Sequence, residues 1–152
     1  MPFYKHLGIT LTDISWGHAQ MQLKVKKELT QSAGSAHGGV MASMIDSVVG
    51  IGLYTMLTSE DHITTIELKV NFIAPAKPGM LKAHGRIISK GKRIAVGDAD
   101  VRDGRGTLIA KGLVTYMIMA NQGQRFRSIK LATLNELSPK RFHIPKPITL
   151  GH

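Results

Sequence analysis

Apolar and polar residues alternate along most of this chain, and one long apolar stretch interrupts the alternation. Phe3 to Leu7 reads as a short opening helix. Ile9, Leu11 and Asp13 alternate with Thr10 and Thr12, which predicts a strand over Ile9 to Ser15. Ala19, Met21, Leu23 and Val25 alternate with Gln20, Gln22, Lys24 and Lys26, the pattern of a half-buried second strand. A polar loop over Lys27 to Ala36 leads into the apolar run, Val40 to Leu57, which predicts a long buried helix. Thr64 to Phe72 returns to alternation, with Ile66, Leu68, Val70 and Phe72 on one face and Glu67, Lys69 and Asn71 on the other. Pro75, Pro78 and Gly79 break the chain. Strands are predicted over Met80 to Ser89, Arg93 to Arg102 and Leu108 to Met119. Lys90-Gly91-Lys92 and Asp103-Gly104-Arg105-Gly106 between them are hairpin turns.

Two strands, one helix and four strands with short connections predict an α+β fold in which an antiparallel sheet curls around one long central helix. After Ala120 the alternation fades and Pro139, Pro145 and Pro147 appear. The expected organisation is therefore a folded unit over residues 1–119 and a C-terminal extension over residues 120–152.

Composition narrows the function. The chain has no cysteine, which removes disulfides, thiol nucleophiles and cysteine metal sites and fits a reducing, cytoplasmic setting. The start of the chain lacks the basic-then-apolar order of a signal peptide. The apolar run is long enough to cross a bilayer, but Asp46, Ser43, Ser47, Thr55 and its glycines mark it as a buried helix, and no membrane partner is expected. No HExxH or similar cluster and no phosphate-binding glycine loop is present, so neither a metal nor a nucleotide cofactor is expected. The net charge is +10, and residues 120–152 carry six Lys and Arg against the single Glu136. Such a balance attracts anionic partners. Phe126 is the one aromatic within the Arg125 to Lys130 cluster of the tail, too little stacking chemistry for base recognition.

The densest chemistry lies at Ser35-Ala36-His37-Gly38-Gly39-Val40, where a His-Gly-Gly turn opens the apolar helix. From His37 to Ser59, Asp46 is the only side chain formally charged at neutral pH. An ionised carboxylate in an apolar helix is costly unless something offsets it. Two glycines at a helix start let backbone N–H groups approach an oxygen closely. Together these suggest a place where a carbonyl is polarised beside a carboxylate. His37 reads as a residue that holds the turn by hydrogen bonding.

These residues resemble the hotdog-fold acyl-CoA thioesterases, in particular the phenylacetic-acid-pathway and 4-hydroxybenzoyl-CoA types, over about residues 5–119. In that family a Gln or Asn lies six residues before the His and the catalytic acid nine after it. Gln31 and Asp46 occupy those positions, and Asn71 to Gly79 is also typical. The resemblance implies a hotdog fold and hydrolysis of an acyl-CoA to free acid and CoA. The Gly38 N–H, beside Gly39, would polarise the thioester carbonyl, and the Gln31 amide would assist. Asp46 would act as nucleophile or general base, a choice the sequence leaves open. Several members carry a Ser or Thr near the start of the strand after the helix, which is Thr65 here, with Thr64 as its alternative. The acid and the His-Gly-Gly turn come from different subunits in the family, implying a homodimer or a dimer of dimers. Lys90, Lys92, Arg93 and Arg105, in the hairpin turns, are candidates for binding the CoA phosphates. Two other classes compete: a non-catalytic acyl-CoA-binding module, and a binder of nucleic acid or another anionic surface through the basic tail.

Overall fold

The computed structural model describes residues 1–120. The elements are α1 (Pro2–Leu7), β1 (Ile9–Ser15), β2 (His18–Lys24), a 3-10 turn (Lys27–Leu29), α2 (Gly38–Tyr54), β3 (Asp61–Phe72), β4 (Met80–Lys90), β5 (Ile94–Asp103) and β6 (Leu108–Ala120). All six strands form one antiparallel sheet in the order β1-β2-β4-β5-β6-β3. The fold is the hotdog predicted from the sequence, with α2 packed in the curve of the sheet. The expected extension over residues 120–152 falls, apart from its first residue, outside the described residues.

Helix α2 is seated unusually deep. Its apolar residues Met44, Ile45, Val48, Val49 and Leu53 have no solvent exposure, and they form the centre of the core. The sheet makes room for them with three glycines. A Cβ on Gly85 would stand 2.8 Å from Val48 Cγ1, one on Gly97 2.4 Å from Val49 Cγ1, and one on Gly112 2.5 Å from Ile45 Cγ2. No side chain fits between helix and sheet at these points. The far end of α2 is tied to the β1–β2 turn: Thr55 Oγ1 donates to the Gly52 carbonyl at 2.7 Å and accepts the Gly17 N–H at 2.8 Å.

Two boundaries depart from the sequence expectation, and a register slip interrupts one strand. β3 begins at Asp61, three residues before the expected Thr64, because its start pairs with the end of β6. The helix ends at Tyr54, before Leu57, where Thr55 caps it. In β3 the register against β6 slips between Thr65 and Glu67, so Ile66 is an extra residue. Leu68, Val70 and Phe72 still oppose Val114, Gly112 and Ala110 on the helix side. Ile66 has no partner of its own in β6 and is 50% exposed. A bulge shifts side-chain parity by one residue. Strict alternation would turn Thr64 toward the helix; the bulge turns Thr65 there instead.

Candidate active site

The helix start is built by a short loop. Ala36 donates its N–H to the Ala76 carbonyl at 2.8 Å, and His37 donates its N–H to the Leu29 carbonyl at 2.8 Å. His37 has an extended backbone, and its Nδ1 accepts the Gly39 N–H at 3.0 Å. The histidine therefore caps the helix and holds the turn. The Gly39 N–H is spent on that cap, whereas the Gly38 N–H has no acceptor among the described residues. That leaves a backbone donor at the positive end of a seventeen-residue helix free to meet an outside oxygen. Gln31 is exposed, and its Nε2 donates to Ser35 Oγ at 2.9 Å across the loop. Gln31, Gly38, Met41, Phe72 and Ile73 line one cavity of about 410 Å³.

Asp46 lies in a second cavity, of about 470 Å³, with Tyr4, Ser47, Ile51, Tyr54 and Ile63 around it. Its carboxylate is half-buried and well held. Thr65 Oγ1 donates to Oδ1 at 2.8 Å, and the Tyr116 hydroxyl donates to the same oxygen at 3.0 Å. The Tyr116 hydroxyl also makes a very short contact with the Asp46 main-chain carbonyl. Burial, and then the charge of Asp46, push the Tyr116 phenol far above its ordinary value, so it stays a donor. Burial likewise raises Tyr4; a hydrogen bond with Ser47 opposes that rise and the Asp46 charge adds to it.

The structure thus brings Asp46 and Thr65 together, and separately Gln31, His37, Gly38 and Gly39. One chain does not join the two groups. Eight residues of α2 separate Gly38 from Asp46, about 12 Å along the axis at the usual helical rise. Of the cationic candidates, Lys90, Lys92 and Arg93 are exposed at the β4–β5 hairpin, whereas Arg105 is exposed in the β5–β6 turn. The ten residues of β5 lie between them, roughly 30 Å of strand. A single chain therefore offers two separate cationic ends. Among the described residues, no group of three His, Cys, Asp or Glu could hold a metal, and no helix is long and apolar enough to cross a membrane.

Residues 33–110 match the thioesterase superfamily. The chain belongs to this superfamily. It is 33% identical over 115 residues to an esterase-named protein of Saccharolobus solfataricus, covering 76% of each chain. It is 29% identical over 115 residues to human acyl-coenzyme A thioesterase 13, covering 72% of this chain and 80% of that one. The fold matches that of the E. coli PaaI protein from the phenylacetic acid degradation operon with a TM-score of 0.75, at 19% identity, over 80% of this chain and 86% of that one. Membership makes the protein a hydrolase of the thioesterase type. Tyr116 was missed by sequence reasoning. It sits in an ordinary alternating strand, and nothing local marks a tyrosine whose hydroxyl reaches a helix seventy positions earlier.

Proposed function

We propose that the protein hydrolyses an acyl-CoA thioester to the free acid and CoA at sites shared between two copies of the chain. The carrying observation is the division of the site. A helix-end N–H without an acceptor and a held carboxylate lie on one helix, too far apart to work on one carbonyl. The donor is in one cavity and the acid in the other. A second copy, placed so that its Asp46 meets the first copy's Gly38, completes the constellation, and symmetry then completes a second one. The exposed apolar residues of the edge strand β3, Leu68 and Phe72, support pairing at that edge.

In this reading the thioester oxygen accepts the Gly38 N–H, where the helix dipole favours the charge that develops in the transition state. The Gln31 amide, carried on the same loop, adds a second donor. Asp46 either attacks the carbonyl carbon or takes a proton from the attacking water. Thr65 holds the carboxylate. His37 keeps the turn in shape, and Gly39 supplies the N–H that His37 needs to do so. Lys90, Lys92, Arg93 and Arg105 are placed to attract the phosphates of CoA at the two ends of the sheet, and a shared site could draw on cations of either copy. The similarity to a relative named as an acyl-coenzyme A thioesterase supports CoA as the carrier. Residues 1–119 are the catalytic unit in this reading, residues 120–152 are an addition to it, and the reaction takes place in the cytoplasm.

The test is a panel of aromatic and aliphatic acyl-CoAs assayed for free thiol, with Asp46→Asn alongside. The expected result is release from at least one member and a loss of 10²-fold or more in the variant, on the order expected for a base or nucleophile. A variant keeping more than about a tenth of the activity removes Asp46 from the mechanism.

A further inference from the structure

We propose that Tyr116 is a positioning residue for the reacting carboxylate: its hydroxyl, admitted to the helix by the absent side chain of Gly50, pins Asp46 by Oδ1 and leaves Oδ2 as the oxygen that meets substrate or water. The inference rests on the reading of Asp46 as the reacting acid.

Three observations meet at this point. First, both donors to the carboxylate converge on one oxygen. Thr65 Oγ1 and the Tyr116 hydroxyl lie 2.8 and 3.0 Å from Oδ1, and no described residue bonds Oδ2. The terminal torsion of an aspartate is broad and nearly two-fold. Two donors fixed on one side break that symmetry, so the same oxygen always faces the cavity. Second, the Tyr116 hydroxyl touches both the carboxylate and the main-chain carbonyl of Asp46. A phenol has one proton to give. Wherever that proton rests, it holds the same residue, and backbone and side chain are located together. Third, Gly50 sits one turn beyond Asp46, in a buried helix interior where glycine is a poor choice. Its reason is visible: a Cβ there would stand 3.1 Å from the Tyr116 hydroxyl oxygen. Tyr116 itself is 3% exposed, so its ring has little room to retreat.

The residues with titratable groups that line the cavity are the N-terminal Met1, Tyr4 from α1, Asp46 and Tyr54 from α2, and Tyr116 from β6. Tyr4, Tyr54 and Tyr116 are all pushed upward, burial being the largest cause in each. Each remains a neutral phenol across the range in which a carboxylate titrates. Removing the Tyr116 hydroxyl takes away a donor of the kind that favours the charged form of a carboxylate, so the acid limb of the activity profile reads its loss.

The experiment compares wild type, Tyr116→Phe, Gly50→Ala and the double variant, all full-length, using an acyl-CoA that the wild type hydrolyses. Tyr116→Phe should lower kcat about 10- to 100-fold, the scale of one hydrogen bond to a charged group, with KM within about twofold. The acid limb of its kcat/KM profile should move to higher pH. Gly50→Ala keeps the tyrosine but crowds its hydroxyl, so it should show a smaller loss and a smaller displacement of the acid limb in the same direction. In the Tyr116→Phe background the Gly50→Ala substitution should cost nothing further, because the nearest remaining contacts of the new methyl, at 3.6 and 3.7 Å, are ordinary ones. NMR titration of the Asp46 carboxyl carbon gives the same displacement without turnover. A wild-type kcat and an unmoved acid limb in Tyr116→Phe overturn the proposal. So do additive costs in the double variant, or an unmoved Asp46 titration. If Tyr116→Phe does not fold, a wild-type acid limb in Gly50→Ala overturns it alone. An Asp46→Asn variant that stays active overturns instead the reading of Asp46, independently of any result at Tyr116.

Discussion

The ring of Phe72 lies against Gly38, so closely that a Cβ on the glycine would stand 3.1 Å from Cζ and 3.3 Å from Cε1. Phe72 is the last residue of the edge strand and is 57% exposed. The ring shields the helix-end N–H from one side and is free to swing away from it. Gly38→Val should fold, because the exposed ring can yield. Valine keeps the backbone N–H, so the loss is steric: the new side chain and the displaced ring crowd the approach to that donor, and kcat should fall toward the roughly 10²-fold cost of an oxyanion donor that cannot be reached. Combined with Phe72→Ala, the loss should shrink, since the displaced ring is then absent. Thiol-release kinetics on the four proteins check this; strictly additive losses would show that the ring plays no part.

The divided site has an arithmetic signature. Asp46→Asn and Gln31→Ala chains, unfolded together and refolded as a mixture, should regain about a quarter of wild-type activity. Half of randomly assorted dimers are mixed, and each of those holds one intact site of two. No recovery above the separate variants means that each site is built from a single chain. Light scattering should show a dimer or larger assembly.

On the outer face of the sheet Asp98 is 8% exposed and bonded to Arg86 Nε at 2.7 Å and to Lys111 Nζ at 3.2 Å. Burial pushes its carboxyl upward, and Arg86 and Lys111 together more than offset this, leaving it below the usual carboxylate range. A folded-state value below the unfolded one adds stability that is present above the ordinary carboxylate pKa and is lost as pH falls through the folded value. Asp98→Asn should therefore cost about 1 kcal/mol at neutral pH, a low figure because the Arg86 side chain is 63% exposed. Denaturant unfolding at neutral pH and near pH 3 should show the gap between variant and wild type closing in acid. A gap that stays constant with pH contradicts an ionic origin.

A chain ending at Ala120 should fold and hydrolyse a short acyl-CoA with a similar kcat, because the described sheet and core are complete without the remainder. Its KM should rise, and the rise should diminish with added salt if the six cations of the tail attract the CoA phosphates. Loss of folding, seen by circular dichroism, would assign those residues to the core.

Helix and strands were legible because their periodicities are clean and the turns carry Gly and Pro at the right places. Ile9 to Ser15 is a strand as expected, and the helix begins at Gly38 just inside the His-Gly-Gly turn. The register slip at Ile66 was not legible because a bulge depends on pairing with β6, which no window of β3 contains. The same slip chooses Thr65 over Thr64. Tyr116 and Gly50 were invisible for a related reason. Their meaning lies in the close approach of the Tyr116 hydroxyl to the helix at Asp46 and Gly50, between two elements whose separate patterns are ordinary. The His-Gly-Gly to Asp spacing pointed to both halves of the site, the resemblance implied that they come from different subunits, and the helical geometry gives the distance that keeps them apart in one chain.

The glycine bed beneath α2 has a kinetic consequence. With Val48, Val49 and Ile45 sunk against Gly85, Gly97 and Gly112, the helix can neither slide nor roll without lifting out of the sheet. Its amide hydrogens should be among the slowest to exchange in the protein, released only by global opening. The carboxylate is thus carried on the stiffest part of the molecule. Breathing that admits and releases reactants is left to lighter parts: the six-residue α1, whose Phe3 and Tyr4 border the acid's cavity with Met1 just before it, and the exposed loop that carries Gln31.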